Sequence, residues 1–258
     1  MDVSKESLTF AHGVSHLSLL TSLLVKKVYF CKKKKMINLE TEPRFKEMMK
    51  CLGFKKTSRS FIKSSKDIIL EMMFGYATKG EKHVRYYSGS YFIRYPQIET
   101  FGKKLEIDVF PLGGLMEYLM PPKSGLVEWR FTESDTEDYY LNVVNEIENA
   151  IKGYVLPFAD KFSCITDFVY GAEMGAFHNC QYDHRAVAIA YYLLGDFPKC
   201  KLYLDKTLDF YASQSKNNKD AEFLKAIGVF DDDSNLTNNK NYINYKKFSD
   251  RMRECIDL

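Results

Sequence analysis

No stretch of this 258-residue sequence forms a P-loop, a dinucleotide glycine fingerprint, a GxSxG nucleophile elbow or an HExxH zinc motif. Their absence removes the commonest nucleotide-binding, hydrolase and metalloprotease chemistries. The six cysteines (Cys31, Cys51, Cys164, Cys180, Cys200 and Cys255) are scattered, and no pair has CxxC spacing. That pattern is neither a zinc ribbon nor a disulfide framework. Cysteines set among apolar residues fit a reducing compartment, so the expected location is cytoplasmic. The apolar run at residues 17–25 is shorter than the about 20 residues that a membrane helix needs. Its lysines follow it, the reverse of a secretion signal. Stable membrane insertion is not expected. Tryptophan occurs once, against 18 Tyr and 19 Phe, a balance that suits sheet faces and helix–sheet contacts.

The net charge of +3 is unevenly distributed. Of 37 basic and 34 acidic residues, seven lysines and two acids lie in residues 1–35, leaving 30 and 32 in the rest, a net of −2. A near-neutral body gives no electrostatic case for nucleic acid, so no nucleic-acid partner is expected. Residues 1–35 form an atypical segment. A basic cluster beside an apolar run suits a membrane-surface anchor. The preferred expectation is that Met36, directly after Lys32-Lys33-Lys34-Lys35, is the natural start and that the residues before it are not translated.

From Met36 the pattern becomes regular. Thr41-Glu42-Pro43 reads as a helix start with a threonine cap. Phe45, Met48, Met49 and Leu52 fall at i, i+3, i+4 and i+7, one apolar stripe. Gly53 supplies a left-handed stop, with Phe54 packing back on the last turn. Three strand-like runs follow at 58–63, 67–78 and 83–95, joined by polar links, with Gly89 a candidate bulge in the third. Residues 105–110 and 126–131 read as further strands. Ser134-Asp135-Thr136-Glu137 reads as a capping box opening a helix over about 135–152, with Tyr139, Val143, Ile147, Ala150 and Ile151 on one face. Pro157 is expected to break it. Residues 157–258 then read as helical, with a pair around Gly195-Asp196. The expected fold is α+β: an antiparallel β-meander with flanking helices over 36–156, followed by a helical C-terminal half over 157–258 packed on it.

The remaining motifs are incomplete. His178, Cys180, Asp183 and His184 lie within seven residues, but their spacing is not that of a zinc site, and a polar turn with Asp183 near a helix cap explains them. Residues 231–235 resemble the start of a calcium loop, yet Leu236 and Tyr242 stand where Gly and Glu are required. Cys255-Ile256-Asp257-Leu258 imitates a prenylation signal, with Asp257 at an aliphatic position. Residues 186–211 look like one tetratricopeptide-like helix pair where an array needs about three, so they read as an αα-hairpin that can present a partner surface. No metal and no cofactor is expected.

The third strand places His83, Arg85, Tyr87, Tyr91, Ile93 and Tyr95 on one face if no bulge intervenes. Such a face can stack bases, or it can be covered by helices with tyrosine hydroxyls at its rim. Its match to a family lies in the turn Leu52-Gly53-Phe54-Lys55-Lys56, then Ser60-Phe61-Ile62, a hydrophobic strand, and a long strand ending in Tyr95-Pro96. Over roughly residues 45–170 this resembles the uncharacterised bacterial family called domain of unknown function 4304. The resemblance implies a bacterial cytoplasmic origin and carries over no catalytic residues.

The functional expectation is a non-enzymatic binding or interaction protein of immunity or regulatory type, with a protein partner. The alternative is a small-molecule enzyme with a site between sheet and helical half. The surface residues singled out are His83, Arg85, Tyr87, Tyr91, His178 and His184, with Glu173 added for the enzyme. Those groups would have to converge.

Overall fold

The computed structural model describes residues 37–121, 128–216 and 240–257. The apolar run at 17–25, the Met36 start and residues 217–239 of the stretch read as helical, which include the calcium-like residues 231–235, lie outside them. So do the first two residues of the strand read at 126–131 and the last residue of the prenylation-like tail.

A 3-10 turn, Leu39–Thr41, leads into α1, Pro43–Cys51. The cap falls on Glu42 rather than Thr41, whose hydroxyl instead donates to the Asn38 carbonyl at 3.1 Å. Pro43 takes the first helical position, where its missing amide costs nothing. Gly53 stops the helix at φ 85°, and the Phe54 amide returns to the Met49 carbonyl at 3.0 Å, closing the last turn.

The sheet is antiparallel throughout: β1 (Lys55–Lys56), β2 (Phe61–Ser64), β3 (Ile69–Ala77) and β4 (Val84–Arg94) form the meander. The far edge of β4 is shared. Residues 84–87 pair with β6 (Trp129–Thr132), and residues 90–93 pair with β5 (Leu112–Leu115). The β3–β4 register runs unbroken from Ile69↔Arg94 to Ala77↔Tyr86, so Gly89 makes no bulge. A Cβ there would come within 2.5 Å of the Met116 sulfur, so the missing side chain is what admits Met116 to the core.

Between β4 and β6 one helix goes unread in the sequence and one strand reading is corrected. Pro96–Lys104 is a helix, α2, again with proline in its first turn. Residues 105–110 are not a strand: Leu105 caps α2, and Glu106 turns the chain at φ 57°. The strand is the glycine pair's own segment, Leu112–Leu115. A Cβ on Gly113 would meet the Phe92 ring at 2.5 Å, so only glycine lets the two backbones approach.

α3 spans Glu137–Ala150 and is capped by Thr136, whose hydroxyl accepts the Tyr139 amide at 3.2 Å. The cap is two residues later than the Ser134 box. The buried stripe accordingly runs through Tyr140, Val143, Val144, Ile147 and Ala150, while Tyr139 is exposed. Pro157 does not break the run. A π-turn, Ile151–Val155, leads directly into α4 (Leu156–Lys161), where Pro157 sits in the first turn. Helices α5 (Ile165–Glu173), α6 (His184–Leu193), α7 (Phe197–Lys216) and α8 (Lys240–Asp257) follow. Asp183 caps α6 as expected, and Gly195 turns the hairpin at φ 75°. Every residue of α6 from Ala186 to Tyr191 is buried, because α2, α5, α7 and α8 pack around it. This is an α+β protein with an antiparallel sheet and a helical C-terminal half.

One core runs through both parts, from Leu39 to Met252. Aromatic edges join the layers: Phe45 of α1 to Phe74, Phe131 of β6 to Tyr140, Tyr91 to Phe158, and Tyr95 to Phe168. The opposite sheet face, with Met73, Gly75, Ser88, Ser90 and Phe92, is half-buried or exposed.

Candidate functional site

The period of two along β4 puts Tyr87, Tyr91, Ile93 and then Tyr95 on the helix-covered side, all buried. Their hydroxyls tie the sheet to other elements. Tyr87 donates to the Ile37 carbonyl at 3.1 Å and lies 3.4 Å from the Leu39 amide. Tyr91 meets the Cys180 sulfur at 3.1 Å. Tyr95 donates to the Phe162 carbonyl at 2.9 Å. Burial raises the pKa of all three phenols, so they stay neutral. Arg85 lies at the rim. Its guanidinium reaches the Ile37 carbonyl at 2.7 Å and stacks 4.3 Å over the Tyr76 ring.

The other singled-out groups are elsewhere. His83 is exposed before β4, with Nδ1 3.3 Å from Glu133. At roughly 3.3 Å per residue it stands about 26 Å from Tyr91 along the strand. His178 is exposed in the turn before Cys180. The structure therefore brings Arg85 and Tyr87 together, sets Tyr91 near the His178 turn, and leaves His83 apart from both.

His184 opens α6, half-buried. Its Nδ1 lies 2.7 Å from the Tyr203 hydroxyl, and its ring is flanked by Tyr182, Tyr203, Phe210 and Tyr211. Burial lowers its pKa against the opposing charge of Asp183. Glu173, at the end of α5, accepts from the Tyr191 hydroxyl at 2.5 Å and from Lys199 at 2.9 Å. Those bonds lower its pKa.

Chemically this is a set of anchors. Cys180 is paired with a phenol, and burial raises its thiol pKa. No histidine is paired with a cysteine among the described residues. None of them forms a group of three or more His, Cys, Asp or Glu able to hold a metal ion.

Two surface features escape the sequence reading. Tyr170 and Met174, one turn apart at the end of α5, are 62% and 67% exposed, and Leu202 on α7 is 53% exposed. The Glu173–Lys199 ion pair bridges the two helices at 2.9 Å. Their alternation looks like that of any amphipathic helix, so the sequence carries no signal for it. The second feature is a groove of about 480 Å³ beside the π-turn, lined by Met120, Trp129, Glu146, Asn149, Gly153 and Tyr154. Its signals are the chain's single tryptophan and a glycine inside a helical run.

Comparison of the chain with protein-family models, with curated proteins and with solved structures finds no match. The fold defines the class: an antiparallel sheet closed on one face by helices. No described helix is long and apolar enough to cross a membrane.

Proposed function

We propose that this chain is a non-enzymatic interaction protein of the bacterial cytoplasm, of immunity or regulatory type, that engages a protein partner through its helical half. The observation carrying this reading is the exposure of Tyr170 and Met174, one turn apart on α5, together with Leu202 on α7. Large apolar side chains grouped on a surface are the usual mark of a contact site. The bacterial origin is proposed from the resemblance read at Leu52-Gly53-Phe54-Lys55-Lys56 and Ser60-Phe61-Ile62 alone. The free thiols at Cys51, Cys164, Cys180, Cys200 and Cys255 support a reducing compartment.

The separation of His83 from Tyr91 and the Cys180 turn argues against the enzyme alternative, since acid–base work needs its groups within hydrogen-bond reach of one substrate. Arg85 is held by a carbonyl and a ring, which argues against a phosphate-binding role for that strand face.

The test is affinity capture from native lysate with wild type and with the Tyr170→Ser/Met174→Ser variant. We expect a specific protein on wild type that is lost on the variant, at unchanged melting temperature. No specific protein on wild type, or equal capture by both, would overturn the reading.

A further inference from the structure

We propose that the groove beside the π-turn binds a small organic ammonium ion: an apolar, preferably aromatic body carrying a protonated amine. This site is separate from those exposed helical residues and does not depend on them.

The groove follows from the backbone. Ile151 and Val155 are both fully buried, and the π-turn between them accommodates one residue more than a regular turn. Such turns are rare and recur at functional sites. Here the turn presents Gly153 and Tyr154 to the groove. Glu146, Asn149 and Gly153 fall at i, i+3 and i+7, one stripe along the helix, facing Trp129 of β6 and Met120.

Gly153 is the telling residue. Glycine weakens a helix relative to alanine, so its presence calls for a reason. The other helical glycines have one. A Cβ on Gly102 would come within 2.7 Å of Val109, and one on Gly171 within 2.6 Å of both Phe162 and Phe177. Gly153 has no atom within 4 Å of where its Cβ would stand and no left-handed φ. Neither packing nor backbone requires it. The space it keeps clear is the groove.

The lining specifies the occupant. The volume lies within the range of small-ligand sites. Trp129, Tyr154 and Met120 supply a polarisable wall of the kind that holds a cation over an aromatic face. The side chains of Glu146 and Asn149 make no hydrogen bond or ion pair among the described residues, and the nearby Lys152 is bound to Glu148 at 2.6 Å. Among the described lining residues, Glu146 is the one charged side chain, a carboxylate, which favours a cation and repels an anion.

Trp129 is the only tryptophan in the chain, so its fluorescence reports this site alone. The experiment titrates the full chain with 2-phenylethylammonium, and with phenylacetate and 2-phenylethanol as anionic and neutral matches. We expect a saturable response to the ammonium, about tenfold weaker binding in Glu146→Gln, and no saturable response to phenylacetate. Gly153→Ala should abolish binding while leaving the melting temperature unchanged or higher. A structural glycine would instead lower it. The proposal is overturned if the response to the ammonium does not saturate, if phenylacetate or 2-phenylethanol binds as well, or if Gly153→Ala binds like wild type.

Discussion

The Tyr91 hydroxyl and the Cys180 sulfur, 89 positions apart in sequence, meet at 3.1 Å and fasten the central strand to the turn before α6. Two residues nearby do the same with backbone: Gly113 and Gln181 exchange amides at 2.9 and 2.7 Å. The edge of β5 is thereby covered. Burial lifts the Cys180 thiol and pushes Cys200 up to about 11.

Thiol reactivity should follow that ordering. Only the thiolate reacts, and Cys51 alone of the described cysteines is exposed. Under native conditions at neutral pH, alkylation read by mass spectrometry should label Cys51 well before Cys180 and Cys200. Equal rates at all three would contradict the placement of half-buried Cys180 and buried Cys200.

Gly89→Ala tests the space beneath β4. Met116 is 1% exposed and its sulfur lies 2.5 Å from where a Gly89 Cβ would stand. We expect a loss of about 1–3 kcal/mol in urea unfolding. Shortening the obstacle in Gly89→Ala/Met116→Ala should cost less than the sum of the two single changes, because the positions are in contact.

His184 should make the fold acid-sensitive. Its folded pKa lies below its unfolded value, so the unfolded chain binds the proton more tightly. The contribution is present above the ordinary histidine pKa of about 6.5 and declines as pH falls through it. Glu173, also lowered, acts in a separate window below the ordinary carboxylate pKa, near 4.5. Urea midpoints should fall between pH 7.5 and pH 5.5 in wild type and less in His184→Gln. Identical slopes in the two proteins would refute the assignment.

Arg85→Ala should loosen the entry of the chain. The guanidinium holds the Ile37 carbonyl and covers Tyr76, and its removal should cost roughly 1–2 kcal/mol. Hydrogen exchange at Leu39, whose amide lies beside the Tyr87 hydroxyl, should accelerate. Retention on immobilised DNA at low salt should not change. A fall in retention would show that Arg85 meets phosphate.

Much of the fold is legible locally. Apolar spacing over residues 45–52, the glycine stop at Gly53 and the period of two along β4 each state an element without reference to the rest. The misreading of residues 105–110 has a physical origin. Glu106, Ile107, Asp108 and Val109 alternate like a strand, but a strand needs a neighbour. The place beside β4 goes to Leu112–Leu115, because glycine allows an approach that a side chain would block. α2 was signalled by Pro96 at a helix start, yet the same proline reads equally as the end of a strand.

The candidate surfaces were less legible. Periodicity shows that His83, Arg85, Tyr87 and Tyr91 share a side of a strand, but not which side the helices cover. Nor does spacing show that Glu146, Asn149 and Gly153 face Trp129, since that requires knowing where β6 docks.

Outside residues 96–115 the sequence by itself determined most element types, the meander and the α+β class, because backbone sterics and apolar periodicity act over a few residues. Tertiary structure alone decided that the tyrosines of β4 are anchors, that the π-turn opens a groove, and that Tyr170 and Met174 remain uncovered. Those outcomes depend on contacts between residues far apart in the chain, which only close packing of the whole core selects.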